Sequence, residues 1–115
     1  MSRRTLDTAQ VVDCAAALAD ADGLDAVTLT RVAERLGVRQ PALYRHVDNY
    51  DALIRALGLR GREILASRLG EAAVGLAGDD AVRAMGGAWR AVVAEHPGLY
   101  AATDRYPCSS DAELA

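Results

Sequence analysis

Apolar residues recur at helical spacing through most of the chain, and polar or glycine-containing breaks separate the apolar runs. In residues 8–21 the apolar positions repeat every three or four residues. Asp7 precedes that run, and Gln10 stands where it would complete a capping box. The pattern predicts helices at about 8–21, 29–36, 40–47, 50–69, 79–96 and 99–103.

Two of these predicted helices are short and meet at a glycine. Thr28 is the expected N-cap of the second helix, and Gly37 fits the left-handed position that ends it. Pro41 suits the first turn of the third helix. The glycine lets the two helices cross, and we expect one set of residues to pack between them: Val32, Ala33, Leu36, Val38, Leu43 and Val47. This arrangement is a helix-turn-helix.

Single residues predict where the later helices start and how stable they are. Asn49 is the expected N-cap of the fourth helix, and Asp79 or Asp80 that of the fifth. Gly58 and Gly61 are expected to weaken the middle of the fourth helix by ~1 kcal/mol each relative to alanine. Pro97 and Gly98 are expected to end the fifth helix and to separate it from the sixth.

Composition supports a helical globular chain. Hydrophobic residues make up 51% and phenylalanine is absent, so alanine and leucine must fill the core, which favours helices over sheets. The net charge is −3, yet residues 28–47 carry four arginines against one glutamate. Residues 5–27 carry five acidic residues and no basic one. Because phosphates respond to the local charge, an acidic protein with this basic segment can still bind DNA.

Several functions are not indicated by the sequence. Cys14 and Cys108 have no metal-binding or redox spacing, and Cys14 is expected to be a small buried hydrophobe. No Gly-rich phosphate loop and no nucleophile–base pattern is present, so we predict no enzyme, no catalytic residues, no cofactor and no metal. No apolar run is long enough to span a membrane, so we expect a cytoplasmic protein with no membrane partner.

Residues 28–47, TLTRVAERLGVRQPALYRHV, followed by DNYDAL, resemble the helix-turn-helix of the tetracycline-repressor (TetR) family of bacterial regulators. The resemblance covers roughly residues 5–57, these two segments are its specific part, and the run from Leu43 to Val47 after a Gly-Val turn is a strong signal within them. The later run from Glu95 to Tyr100 is similar to the start of a ligand-sensing domain found in some members.

The resemblance implies an all-α repressor with a three-helix DNA-binding domain, followed by the first helices of a helical regulatory domain that binds a small effector and forms the dimer. We expect residues 1–50 to be the helix-turn-helix domain, 51–69 a connecting helix and 70–115 part of the regulatory domain. Tyr50 stands where many members have lysine, and only Arg3 and Arg4 add N-terminal charge. Family members continue for several helices beyond the point where this chain ends.

The resemblance places nine residues at the DNA: Thr28, Thr30, Arg39, Gln40, Pro41, Ala42, Tyr44, Arg45 and His46. Arginine can bond guanine bidentately and glutamine adenine, so Arg39, Arg45 and Gln40 are the candidates for reading base edges. Their alternative is a solvated surface role.

The other DNA candidates also have alternatives. Ala42 could contact a thymine methyl group or be a plain surface residue, and Pro41 could only start the helix. Tyr44 and His46 are expected to bond phosphates, which position a protein without specifying sequence. Tyr44 could instead pack half-buried on the first helix, and His46 could be a surface or capping residue. Thr28 and Thr30 are candidate phosphate contacts, with pure N-capping the alternative for Thr28.

A second candidate site is an effector pocket formed by Met85, Trp89, His96 and Tyr100. The alternative is that Met85 and Trp89 are core residues, together with Val92 and Val93, because their spacing is helical.

These observations predict a transcription regulator whose third helix enters the major groove. A homodimer, expected if the full regulatory domain is present, would place two such helices ~34–36 Å apart on a palindromic operator. A small effector would release the DNA. Three alternatives stay open: a truncated copy that folds without repressing, a ligand-binding module with a vestigial helix-turn-helix, and a protein-interaction module.

Overall fold

The computed structural model describes residues 6–105, and every regular element in that range is helical. The prediction of an all-α chain is therefore confirmed. The elements are α1 Thr8–Asp22, a 3-10 turn Leu24–Ala26, α2 Leu29–Leu36, α3 Gln40–Leu43, α4 Tyr50–Ala73, α5 Gly78–Glu95 and α6 Pro97–Arg105. Arg3, Arg4 and Cys108 lie outside the described residues.

Side-chain caps start three of the helices as the sequence predicts. The Asp7 carboxylate accepts a hydrogen bond from the Gln10 N–H at 2.8 Å, and the Gln10 side chain accepts one from the Asp7 N–H at 2.9 Å. Thr28 accepts from the Arg31 N–H at 3.0 Å, and Asn49 from the Ala52 N–H at 2.8 Å. Each bond satisfies an N–H that the helix itself leaves unpaired.

The predicted start of α5 is wrong. The helix begins at Gly78 with Ala77 as its N-cap, and no side chain caps it. Asp79 and Asp80 instead lie within its first turn, where negative charge complements the helix dipole. The start of α6 also differs, because Pro97 is its first residue and only His96 separates it from α5. Proline is tolerated there because the first N–H of a helix has no partner.

The third helix is shorter than predicted. It ends at Leu43, and residues 44–46 form a turn in which the Tyr44 N–H bonds the Pro41 carbonyl at 3.2 Å and the His46 N–H bonds the Leu43 carbonyl at 2.9 Å. These bonds span three residues rather than four, a tightening common at helix ends. Leu43 and Val47 are both buried, as the predicted apolar face requires.

The hydrophobic core is formed mainly by residues before position 58. Buried side chains of α1, such as Val11, Ala15 and Leu18, pack in one cluster with Leu53 and Leu57 of α4. Val32 of α2 and Leu43 of α3 belong to the same cluster, and α6 adds Leu99 and Ala102. The DNA-binding candidates therefore stand on a closed apolar core.

Three glycines let α6 approach the rest of the molecule at backbone distance. A Cβ atom at Gly61 would lie 2.9 Å from the Leu99 carbonyl oxygen, and one at Gly58 would lie 3.0 Å from the Ala102 carbonyl oxygen. A Cβ atom at Gly98 would lie 2.2 Å from the Ala19 carbonyl oxygen. The glycines that were expected only to weaken α4 are thus required for its contact with α6.

Candidate DNA-binding site

The turn between α2 and α3 sets the position of the candidate site. Gly37 has φ +73° and ψ +29°, the left-handed conformation that the sequence predicts. Its N–H bonds the Glu34 carbonyl at 3.2 Å, and the Val38 N–H bonds the Ala33 carbonyl at 3.0 Å. These bonds close the end of α2, so the chain reverses within three residues and α3 begins at Gln40.

Three of the candidate side chains are joined by hydrogen bonds. The Thr30 hydroxyl of α2 donates to Gln40 Oε1 at 3.0 Å, and Gln40 Nε2 donates to the Tyr44 hydroxyl at 3.4 Å. Thr30 and Tyr44 are exposed, and 47% of the Tyr44 surface is accessible. We call Thr30, Gln40 and Tyr44 the polar triad. It orients the Gln40 amide before any ligand is bound.

The arginines of this segment differ in whether their guanidinium groups are already bound to other residues. Arg31 is held by Asp22, with 3.2 Å between its Nη2 and the carboxylate, and it also bonds the Ala26 carbonyl. Arg39 and Arg45 are exposed and form no ion pair within residues 6–105. Arg39 and Arg45 flank the polar triad, so the positive charge available to a polyanion lies beside it.

The remaining candidates contribute backbone shape or contact surface. Thr28 uses its side-chain oxygen to cap α2, which leaves its hydroxyl hydrogen for another acceptor. Pro41 is exposed and Ala42 is partly buried. The His46 ring is partly buried, and its carbonyl accepts a bond from the Thr8 hydroxyl at 3.3 Å, which ties the turn to α1.

Cys14 lies beneath the site rather than in it. Burial raises the pKa of the Cys14 thiol, and the nearby Arg35 only partly opposes this. Its Sγ lies 3.9 Å from the Val32 carbonyl oxygen. The thiol therefore stays protonated at neutral pH. Cys14 packs on the core but is only partly buried, whereas the sequence predicts a buried residue.

Three of the four effector candidates line two separate clefts, and the fourth, Tyr100, contacts Trp89. Met85 and Trp89 line an open cleft of about 320 Å³ between α4 and α5. His96 lines another, of about 420 Å³, with polar α4 residues that include Ser67 and Arg68. Tyr100 meets Trp89 edge to face, with 6.2 Å between ring centroids.

A contact that sequence reasoning missed joins α1 to α6. Asp20 Oδ1 accepts hydrogen bonds from the N–H groups of Gly98 at 3.0 Å and Leu99 at 3.2 Å. Asp20 Oδ2 lies 2.7 Å from His96 Nδ1. Asp20 thus caps a helix that begins far along the chain. No local pattern could reveal this contact, because an aspartate within a helix is ordinarily a solvated residue.

The described residues form neither a metal site nor a membrane-spanning helix. No group of three or more histidine, cysteine, aspartate or glutamate side chains between positions 6 and 105 is arranged to hold a metal ion. None of the helices described here has the length and apolarity needed to cross a bilayer.

The fold and the site together define an all-α helix-turn-helix protein. Residues 11–57 match the family model of bacterial regulatory proteins of the tetR family. A crystal structure of TetR from Acinetobacter baumannii superposes with a TM-score of 0.70 at 28% identity, covering 95% of this chain and 58% of that one. Residues 11–57 therefore carry the segment by which bacterial regulatory proteins of the tetR family are defined, and the fold of residues 6–105 is that of a TetR structure.

Individual relatives agree with this assignment. An uncharacterized HTH-type transcriptional regulator of Mycobacterium tuberculosis is 37% identical over 106 residues, which are 92% of this chain and 49% of that protein. The class D tetracycline repressor of Escherichia coli is 43% identical over 61 residues, 53% of this chain and 27% of the repressor. The chain spans about half the length of the first of these relatives.

Proposed function

We propose that this protein is a sequence-specific DNA-binding transcription regulator, a repressor in the simplest case, that inserts α3 and the following turn into the major groove. The observation that carries the proposal is the polar triad, preorganised on a closed core and flanked by the unpaired Arg39 and Arg45. The family supports it, since the matched relatives are transcription regulators by name.

Within this proposal the base-reading residues are Gln40, Arg39 and Arg45. Two bonds hold the Gln40 amide, so little side-chain entropy is lost when it meets an adenine edge. The arginines supply bidentate donors for guanine. Ala42 would contact a thymine methyl group, with Pro41 starting the helix beside it.

The phosphate-binding residues would be Tyr44, His46 and Thr28. Tyr44 accepts a bond from Gln40, so its own hydroxyl hydrogen is available for a phosphate oxygen. Thr28 also keeps a donor while it caps α2. Thr30 has already donated its hydrogen to Gln40, and we assign it to positioning that amide.

Anisotropy titration tests the proposal on DNA from upstream of the protein's own gene and on a scrambled duplex, at two salt concentrations. We expect tighter, salt-sensitive binding to the native duplex. Arg45→Ala should weaken native binding more than scrambled binding, whereas Tyr44→Phe should weaken both alike. Arg83→Ala removes the same charge from the exposed side of α5 and serves as the matched control.

Two outcomes would contradict these roles. Equal losses for Arg45→Ala on both duplexes would remove it from base reading. Binding that is weak and without preference at both salt concentrations would favour a ligand-binding module whose helix-turn-helix no longer serves DNA.

We further propose that the chain is organised as residues 1–50 for DNA binding, 51–69 as a connecting helix and 70–115 as part of a regulatory domain. The protein would act without catalysis and in the cytoplasm, where its operator lies. Reading a palindromic operator requires a homodimer, because two-fold DNA symmetry is matched by two-fold protein symmetry.

A small effector would act best at the His96 cleft. A ligand there would contact His96, whose ring nitrogen lies against Asp20 of α1. Displacement of that ring would change how α6 is held on the DNA-binding helices. A ligand should shift the His96 ring resonances in both wild type and Asp20→Asn, but should weaken DNA binding only in wild type, because the variant lacks the carboxylate that links His96 to α1. Equal weakening of DNA binding in the two proteins would contradict this coupling.

A further inference from the structure

Arg31 stands in the first turn of α2, next to a residue assigned above to DNA phosphate, yet its guanidinium is already occupied. Its N–H bonds the Thr28 side-chain oxygen at 3.0 Å, so the two residues lie at the same end of the helix. The guanidinium lies 3.2 Å from the Asp22 carboxylate and donates to the Ala26 carbonyl at 3.4 Å. The arginine is thus tied to the end of α1 and to the 3-10 turn that follows it.

Neither member of the Asp22–Arg31 pair stands where its own helix favours that charge. Asp22 is the last residue of α1, where the helix dipole disfavours negative charge, and Arg31 lies at the N-terminal end of α2, where the dipole disfavours positive charge. The stability of the two helices therefore does not explain these residues. Each charge compensates the other, and another anion at the same place could compensate Arg31 equally well.

We propose that Asp22 keeps Arg31 away from the DNA backbone and thereby lowers the affinity of this protein for DNA. In the free protein the carboxylate occupies the guanidinium. A phosphate bound at Thr28 would compete for the same guanidinium, because arginine pairs with phosphate as it does with carboxylate. The inference rests on the proposed function, since it takes Thr28 as a phosphate contact.

The exposure of the pair makes this exchange possible. The side chains of Arg31 and Asp22 are 44% and 47% exposed, and an ion pair of this kind contributes little to stability. Loss of the carboxylate would free the arginine and would also remove a negative charge beside the DNA surface. Both changes strengthen DNA binding. If the pair instead served to hold α2 in its binding position, loss of the carboxylate would weaken DNA binding, so the sign of the effect separates the two roles.

Asp25 provides a matched control for the change in charge. It lies in the 3-10 turn between α1 and α2, and its side chain is fully exposed. Its carboxylate lies 3.9 Å from the Arg105 guanidinium of α6 rather than at Arg31. Asp25→Asn therefore removes one negative charge from the same segment without releasing Arg31.

Anisotropy titration of the full 115-residue chain over a series of salt concentrations tests the proposal, on the native and the scrambled duplex. Asp22→Asn should lower the Kd by about three- to fivefold on both duplexes alike, since phosphates carry no sequence information. The dependence of log affinity on log salt should steepen by about 0.9, as expected for one added phosphate contact. Asp22→Glu keeps a carboxylate and should resemble wild type. Asp25→Asn should change the Kd less and leave the salt dependence unaltered.

A double variant tests whether the effect passes through Arg31. In Asp22→Asn/Arg31→Gln the guanidinium is absent, so the gain in affinity and the steeper salt dependence should both disappear. Persistence of the gain in the double variant would overturn the proposal, and so would an equal gain in Asp25→Asn. Unchanged or weaker DNA binding by Asp22→Asn would overturn it as well. Thermal unfolding by circular dichroism would verify that each variant is folded.

This proposal and the proposed function can fail separately. A wild-type chain that binds both duplexes equally would contradict sequence-specific regulation, but the effect of Asp22→Asn on phosphate binding would still be measured. Clear preference for the native duplex, without a gain in Asp22→Asn, would overturn only the role of Asp22. Absence of binding to either duplex by wild type and by Asp22→Asn would overturn both.

Discussion

The first helix and the fifth helix differ sharply in how much of their surface is buried. Over 15 residues, α1 has six buried residues, and it contacts α2, α4 and α6. Over 18 residues, α5 has one, Val92. The difference shows that the DNA-binding candidates stand on a well-buried core, whereas α5 is little buried by the other elements of residues 6–105.

This contrast has a functional meaning within the proposals above. A reader of DNA gains from rigid support, since contacts to base edges must be held in place. The four predictions below test the contrast, and they run from the largest expected effect to the smallest.

Truncation of a core leucine should give the largest difference in unfolding free energy between the core around α1 and the exposed side of α5. Leu53 of α4 is fully buried in the core shared with α1, so Leu53→Ala should reduce the free energy of unfolding by about 3 kcal/mol. Val82→Ala on the exposed side of α5 should change it by less than about 0.5 kcal/mol when the chain is monomeric. Urea unfolding at low protein concentration measures both. Comparable losses would contradict the contrast.

Two glycines of α4 should respond oppositely to the same substitution. Gly61→Ala forces a Cβ atom to 2.9 Å from the Leu99 carbonyl oxygen and should destabilise the protein by about 2 kcal/mol. Gly70 has no atom within 4 Å of such a Cβ, so Gly70→Ala should stabilise α4 by about 0.5–1 kcal/mol. Thermal unfolding gives both signs. Stabilisation by Gly61→Ala would show that α6 does not pack closely on α4.

Removal of the Asp20 carboxylate should loosen α6 from α1. Asp20→Ala leaves the N–H groups of Gly98 and Leu99 without their acceptor, at a cost of about 1–2 kcal/mol. Asp20→Asn keeps an acceptor oxygen and should lose less. Hydrogen exchange of the two amides measures the effect at the site. Equal protection in wild type and Asp20→Ala would contradict the cap.

The smallest effect is expected at the ion pair between α4 and α5. Arg68 lies 2.7 Å from Glu95, and its hydrogen bond and charge lower the pKa of that carboxyl. The folded protein therefore binds this proton more weakly than the unfolded chain. The stabilisation is present at neutral pH and is lost as the pH falls through the lowered pKa. Because both groups are exposed, the effect on stability is small.

Carboxyl resonances in a pH titration by NMR can test this prediction directly. Arg68→Gln should raise the pKa of Glu95 toward its ordinary value. Arg83→Gln, whose arginine partners Asp80, should leave it unchanged. If Glu95 titrates identically in wild type and Arg68→Gln, the ion pair does not form in solution.

Local chemistry explains why so many helix boundaries were predictable. Asp7, Thr28 and Asn49 each cap a helix through a backbone N–H three residues away, so no distant residue is needed. Gly37 is similar, because its left-handed conformation follows from the lack of a side chain. The start of α5 escaped prediction because either Asp79 or Asp80 could have been a cap, yet the helix begins ahead of both.

The site was predictable in its residues but less so in its geometry. The resemblance of residues 28–47 to a known family indicated Thr30, Gln40 and Tyr44 separately. The Thr30–Gln40 bond depends on how α2 crosses α3, which no single helix specifies, whereas the Gln40–Tyr44 bond lies within one helical turn. The grouping of Met85 and Trp89 apart from His96 likewise depends on how α5 and α6 lie on α4.

The sequence by itself determined the order of the helices, the caps of α1, α2 and α4, the tight turn at Gly37 and the segment that belongs to a DNA-binding family, because these depend on neighbours along the chain. Only the tertiary structure decided that Gly58 and Gly61 serve a close helix crossing and that Asp20 caps α6. It also decided that, among residues 6–105, α5 buries only Val92 against its neighbours. These features arise between residues distant in sequence, where packing and hydrogen-bond geometry select the partner.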